Sequence, residues 1–182
     1  MSFESVKTFE NKIADFFGAS YAVAVDSCTH GVELSLRYTN AQSISCPKRT
    51  YLSIPFLSDK LNITDNVIDA AVLWRANSYI PETFMSVSFQ FRKHLSLGRG
   101  GCILTDNKEA ATQLKKMSYD GRDPNESWSV QNIDTIGYHY YMTPETAELG
   151  LEKLPKAIST PPKLWTTQDW PDLTEQNKIF KV

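Results

Sequence analysis

The sequence predicts an α/β fold, a mostly parallel sheet with flanking helices, and three observations predict it. Short apolar runs of strand length alternate with segments of helical periodicity. Glycine, proline or small polar residues fall at most of the changeovers between them. Hydrophobic residues make up 41% of the 182 and charged residues 22%, enough for one domain to bury a core without disulfides or a metal.

Each element follows in order. Phe3, Val6, Phe9, Ile13, Phe16 and Phe17 recur at helical spacing, and Gly18 stands where that helix should stop. "YAVAV" (Tyr21–Val25) reads as a buried strand, after which "DSCTHG" (Asp26–Gly31) turns into a helix through "VELSLRYTNA". A short strand around Ile44–Cys46 meets "PKRTY", and a short helix follows through "LSIPFLSDKL". "NVIDAA" (Asn66–Ala71) and "MSVSFQF" (Met85–Phe91) read as strands. Glycines 98, 100 and 101 break the pattern before another strand, "CILTD" (Cys102–Asp106). Asp106 with Glu109 makes a predicted capping box for the next helix, which Gly121 terminates. Thr143-Pro144 opens the last helix, and Pro155 is its expected end. The expected division is therefore one domain over residues 1–155 and a tail or arm over 156–182. That tail is polar and proline-rich but carries Trp165 and Trp170, which need burial either on its own domain or on a partner subunit.

Charge and cysteine content narrow the function. Lys plus Arg number 19 against 21 Asp plus Glu, a formal charge of −2, which excludes a surface wholly devoted to nucleic acid or anionic lipid. Cys28, Cys46 and Cys102 are odd in number with no C-x-x-C, so the expectation is a reducing compartment without a disulfide framework. The N-terminus is charged and periodic, and no stretch is apolar for long enough to span a bilayer. A cytoplasmic protein without membrane attachment is expected. His30, His94 and His139 show no metal-ligand spacing.

The segment "SFQFRKHLSLGRGG" (Ser88–Gly101) sets Lys93 between an arginine and a histidine ahead of glycines. The lysine reads as a covalent catalyst, as part of a basic clamp, or as one exposed charge. The clamp would use Arg92, Lys93, His94 and Arg99 on nucleic-acid phosphates beside Phe89 and Phe91. A lysine forming a Schiff base with pyridoxal 5′-phosphate needs a phosphate pocket, a carboxylate for the pyridine nitrogen and a flat side chain to stack. Ser27, Cys28 and Thr29 at a strand-to-helix junction, Asp69 at a strand end, Tyr51 after "PKRT", and Ser88 are the candidates. Each has an ordinary structural role as well: helix cap, turn cap, core aromatic, solvated charge.

The order and wording of these segments resemble the DegT-type sugar aminotransferases, a branch of the fold-type-I pyridoxal-phosphate enzymes. "FENKIADFFGASYAVAVDSCTHGVELSL" is similar to the family's opening helix, first strand and phosphate-binding turn. "CPKRTYLS" resembles the segment whose aromatic, here Tyr51, stacks on the cofactor. "VIDAA" resembles the acidic motif whose aspartate, here Asp69, pairs with the pyridine nitrogen. "SFQFRKHLSLGRGG" resembles the serine-to-lysine segment, which implies that Lys93 forms the aldimine and that Ser88 holds phosphate. "IGYHYYMTPETAELGLEKL" resembles a later loop and helix, with His139 at a position that reaches a neighbouring subunit's phosphate. The resemblance covers most of residues 3–155. It implies a keto-sugar substrate, nucleotide-linked, an amino-acid donor such as glutamate, and a homodimer.

The departures are equally specific. A long family segment is nearly absent between Leu57 and Val67, which would let the "SISCP" strand pair with "NVIDA" in a sheet of about five strands. The small domain that closes over substrate is replaced by the tryptophan-containing tail. Arg99 stands where an acidic residue is common, Val72 where a polar residue is usual, and Tyr141 where the family has an arginine. The resemblance therefore leaves two function classes: a transaminase, or a pyridoxal-phosphate-binding module that has lost transamination.

Overall fold

The computed structural model describes residues 3–42, 66–172 and 175. The strand at Ile44–Cys46, the helix through "LSIPFLSDKL" and Tyr51 lie outside these residues.

The chain opens with α1 (Glu4–Phe17), whose apolar stripe buries Val6, Phe9, Ile13 and Phe17. Gly18 ends it at φ +78° with its N–H on the Ala14 carbonyl at 2.9 Å, the left-handed cap expected from the sequence. β1 (Tyr21–Val25), α2 (Cys28–Tyr38), β2 (Val67–Asp69), β3 (Phe84–Ser88), β4 (Gly101–Thr105), α3 (Lys108–Ser118) and α4 (Pro144–Ser159) follow.

The described sheet is four-stranded in the order β1-β4-β3-β2. β2 runs parallel to β3, while β4 is antiparallel to both β1 and β3. Strands β1, β2 and β3 thus share one direction, and β4 alone opposes it. The reason is the connection: β3 reaches β4 through residues 89–100 without a helical crossover, and only an antiparallel neighbour can be joined that way.

Alternation along the strands assigns the two faces. Ala24, Met85, Val87, Cys102 and Leu104 face α1 and α4 in one core cluster. Val23, Val25, Phe84 and Ile103 face α2 and α3 in the other. With both faces covered, the strands read as near-continuous apolar runs, as "YAVAV" and "CILT" do. The exposed edge of β1 is closed by Glu10, whose carboxylate accepts the Ala24 N–H at 2.9 Å and the Lys115 ammonium. Burial pushes Glu10 above its ordinary value, and Lys115 and the Ala24 N–H act against that rise.

Three boundaries differ from the sequence expectations. α2 begins at Cys28, inside the expected turn, because Ser27 Oγ accepts the His30 N–H at 3.2 Å and caps it. α3 is capped by Asn107, which accepts the Ala110 N–H at 3.0 Å, whereas Asp106 accepts the Glu82 N–H at 2.9 Å. The expected Asp106–Glu109 capping box therefore does not form, and a single Asn107 cap stands one residue on. α4 runs through Pro155 to Ser159. An interior proline costs about 3 kcal/mol. That cost is offset by burial of Leu154, about 2 kcal/mol, and by two hydrogen bonds at about 1 kcal/mol each. Both bonds end on the Ala157 carbonyl: Trp74 Nε1–H donates at 3.0 Å and His94 Nε2–H at 2.8 Å.

One close approach positions everything that follows. A Cβ on Gly101 would lie 2.5 Å from the Cys28 nitrogen and 2.6 Å from the Ser27 carbonyl carbon, so β4 begins directly against the first turn of α2. Among the described residues no helix is long and apolar enough to cross a membrane. Because backbone stands on both sides of the contact, Gly101→Ala should destabilise the fold by about 1–3 kcal/mol, read from the denaturant midpoint. An unchanged midpoint would show that the two backbones can separate at no cost.

Candidate active site

Three elements converge on one cavity. Its walls include Ser27, Cys28 and Thr29 from the cap and start of α2, Asp69 from the end of β2, Ser88 from the end of β3, and Lys93 beyond it. The sequence candidates from separate segments are therefore brought together. Gln90, Arg99 and Gly100 complete the wall from the β3–β4 connection, and Ala71 from the turn after β2.

That connection is a folded-back loop. Phe89 N–H meets the Gly100 carbonyl and Phe91 N–H the Gly98 carbonyl, each at 2.9 Å, while Lys93 N–H closes a turn on the Gln90 carbonyl at 2.8 Å. Gly98 and Gly100 take φ of +82° and +151°, conformations that a side chain would oppose. β3 thus ends at Ser88, three residues short of the expected Phe91, and Lys93 sits in the loop beyond it. Phe89 is fully buried and anchors the loop against Phe9, ring centroids 5.4 Å apart.

The charged groups are desolvated. Asp69 Oδ1 accepts the Ala71 N–H at 2.9 Å and lies 3.8 Å from Cys28 Sγ. Burial holds Asp69 above the ordinary carboxylate range, with the Ala71 N–H and the Lys93 charge acting against it. Burial also pushes the Lys93 ammonium down, while nearby Cys28 and Asp69 act to raise it. The Cys28 thiol is pushed well up, chiefly by burial, and its S–H lies 3.3 Å from the Ser86 carbonyl. Cys28 is thus a neutral wall residue, and its backbone is what α2 offers the cavity.

Ser27 is both things the sequence left open. Its oxygen caps α2, and it lines the cavity with Thr29, so the N-terminal end of α2 forms part of the cavity wall. Arg99 stands at that end. Its guanidinium meets Asp26 at 2.5 Å, and Asp26 also meets His30 Nδ1 at 2.5 Å. An acidic residue at position 99 would face Asp26 across this gap, and arginine turns a repulsion into a pair.

His139 does not line the Lys93 cavity. It lies across Arg99, in a neighbouring cavity with Asp26, Tyr141 and Thr143, where its Nδ1 is 3.1 Å from Asp120 Oδ2. The basic run does not form one clamp either. Arg99 pairs with Asp26, His94 donates to Ala157, and Lys93 turns into the cavity. Among the described residues no group of three or more His, Cys, Asp or Glu could hold a metal.

The residues that sequence reasoning missed are Trp165 and Trp170 as neighbours of this site. Lys93 Nζ lies 4.7 Å from the Trp165 ring centroid and 5.2 Å from that of Trp170. Their size and partial burial marked them as packed, but nothing in the tail's spacing names the surface on which they pack.

Comparison with known proteins agrees with this geometry. The sequence profile of the DegT/DnrJ/EryC1/StrS aminotransferase family matches residues 1–53 and 81–160. The spore coat polysaccharide biosynthesis protein SpsC of Bacillus subtilis is 25% identical over 218 residues, covering 82% of this chain and 56% of its own length. That alignment is longer than the chain itself, so the relative carries residues that this chain lacks. The chain spans about half the length of the curated relatives it matches. Among solved structures, DesV of S. venezuelae, in complex with a ketimine intermediate, superposes with a TM-score of 0.69 at 17% identity, covering 85% of this chain and 57% of that one. The sugar aminotransferase CalS13 of Micromonospora echinospora gives 0.66 at 14% identity, covering 84% and 60%. Those likenesses establish the fold, and the sequence profile establishes the kinship: this chain belongs to the DegT/DnrJ/EryC1/StrS aminotransferase family.

Proposed function

We propose that this chain binds pyridoxal 5′-phosphate in the Lys93 cavity and transfers an amino group from an amino-acid donor to a keto sugar, one carried on a nucleotide. The observation that carries this reading is the convergence of Lys93, Asp69, Ser27 and Thr29 on one cavity. The family is pyridoxal-phosphate-dependent. The sugar substrate rests on the polysaccharide role named for SpsC and on the activity named for CalS13.

The residues fit the cofactor's parts. Ser27, Thr29 and the first-turn N–H groups of α2 suit the phosphate, with Ser88 and the Arg99 charge beside them. Asp69 suits the pyridine nitrogen: its buried charge is costly alone, and a protonated ring nitrogen would offset that cost. When bound, the cofactor supplies an electron sink for the substrate carbon that bears nitrogen. Lys93 is the amine that would carry it covalently, and burial leaves a larger neutral fraction of that amine to attack. The same nitrogen would then take and return a proton at the substrate carbon as general base and acid. Asp69 would hold the proton on the ring nitrogen, and Cys28 would pack as a neutral wall. Tyr51 would stack on the ring, and His139 would serve the neighbouring subunit's phosphate in a homodimer. In this reading residues 1–155 form the cofactor-binding domain, and 156–182 a C-terminal tail or arm.

A second reading, a cofactor-binding module without transamination, is favoured by the interrupted profile match between residues 53 and 81. Turnover of keto sugars with amino-acid donors separates the two.

Two outcomes are expected. Pyridoxal phosphate followed by borohydride should fix cofactor mass on the Lys93 peptide of the native protein and nothing there in Lys93→Ala. No label on Lys93 in the native protein sinks the assignment. Asp69→Asn should raise the Tm of the cofactor-free protein at neutral pH while weakening cofactor binding. The sign follows from the raised carboxyl, because the ionised form costs the folded state. The gain should therefore shrink as pH falls through the folded value and vanish below the unfolded one, near about 3.9. An equal or lower Tm at neutral pH counts against a desolvated Asp69.

A further inference from the structure

The tail is built to meet Lys93. It leaves α4 beside the lysine's own loop, because His94, the next residue, donates to the Ala157 carbonyl and lies 3.3 Å from Thr160 Oγ1. A short 3-10 turn, Thr167–Asp169, then folds the chain back under a capping box in which Asp169 accepts the Thr166 N–H at 2.7 Å. Trp165 lies just before that turn and Trp170 just after it. Their rings stack with centroids 5.2 Å apart and planes 12° from parallel. Further on, Asp172 is only 4% exposed, so the segment is fastened beyond the pair as well as before it.

The indoles are not an open platform for a ligand ring. Trp165 stacks on Trp170 and also takes the Lys163 ammonium 4.1 Å from its centroid. What the pair presents to the site is a π surface for the Lys93 charge.

We propose that Trp165 and Trp170 are positioning residues of this site, holding the Lys93 ammonium at the cavity so that a carbonyl compound reaching Nζ must first displace that contact. This rests on the cofactor-site reading of the Lys93 cavity. The contact stabilises only the protonated amine, so it opposes the burial that lowers Lys93. Among the described residues, Asp69 from β2, Cys28 from α2, Arg99 from the lysine's own loop and Lys163 from the tail also face this position. When a carbonyl arrives, the ammonium gives its proton to solvent. The Nζ lone pair then bonds the carbonyl carbon, the two remaining amine protons pass to the oxygen, and the oxygen leaves as water, with no change of oxidation state.

The test uses a second amine reagent so that the two readings can fail separately. Trinitrobenzenesulfonate arylates neutral amines with loss of sulfite, and peptide mass mapping reports its rate at Lys93 alone. Across a pH series, the native full chain is compared with Trp165→Ala/Trp170→Ala and with Trp165→Phe/Trp170→Phe. Losing the π contact should speed labelling at neutral pH by about 5- to 30-fold and move the pH profile downwards. The phenylalanine pair, which keeps two rings, should stay near the native rate. If the double alanine variant does not fold by circular dichroism, Trp170→Ala alone should show a smaller change of the same sign. Equal or slower labelling in the alanine variants, or a phenylalanine pair as fast as the alanine pair, overturns the proposal. If borohydride fixes no pyridoxal phosphate on Lys93 in any variant while the trinitrophenyl contrast holds, the cofactor reading fails and the positioning role stands.

Discussion

The site depends on one contact between two stretches of backbone: the start of β4 pressed against the first turn of α2. At Gly101 there is no room for a side chain between them. Because that gap is closed, the N–H groups that open α2 stand beside the loop that carries Lys93. β2 then brings Asp69 to the same point through its parallel pairing with β3. The amine, the carboxylate and the helix terminus come from three distant segments, and the sheet is what makes their distances fixed quantities.

The arrangement works against local stability. Asp69 and Lys93 are both shifted toward their neutral forms by burial, and neither fully compensates the other. A protein selected only for stability would not keep such a pair half-satisfied beside a helix N-terminus. By contrast Glu10 and Lys115 close an edge strand and do not line the Lys93 cavity. The two carboxylates differ in what surrounds them: Glu10 is held by a direct ammonium contact, and Asp69 lines open space.

Much of this was legible in the sequence because it is local. "YAVAV", Gly18 and the Ser27 junction each carry their own signal, and the order of "SCT", "VIDAA" and "FRKH" marks the site walls. What failed was decided by tertiary contacts. Pro155 ought to stop a helix, but Leu154 burial and the Ala157 carbonyl keep the helix going. Asp106 looked like a cap, yet its carboxylate is taken by Glu82 in another loop. The single antiparallel strand β4 follows from a loop that returns directly, which composition alone does not reveal. The tryptophans announced that they were packed, and only the fold says where.

The passage of α4 through Pro155 has a consequence of scale. The four residues beyond that proline add roughly 6 Å of helix. A helix that obeyed its proline would release the tail one turn earlier, with a longer slack of extended chain before the indoles. The Ala157 carbonyl would then not be fixed where Trp74 and His94 hold it, so two donors on one carbonyl set the point from which the tail departs.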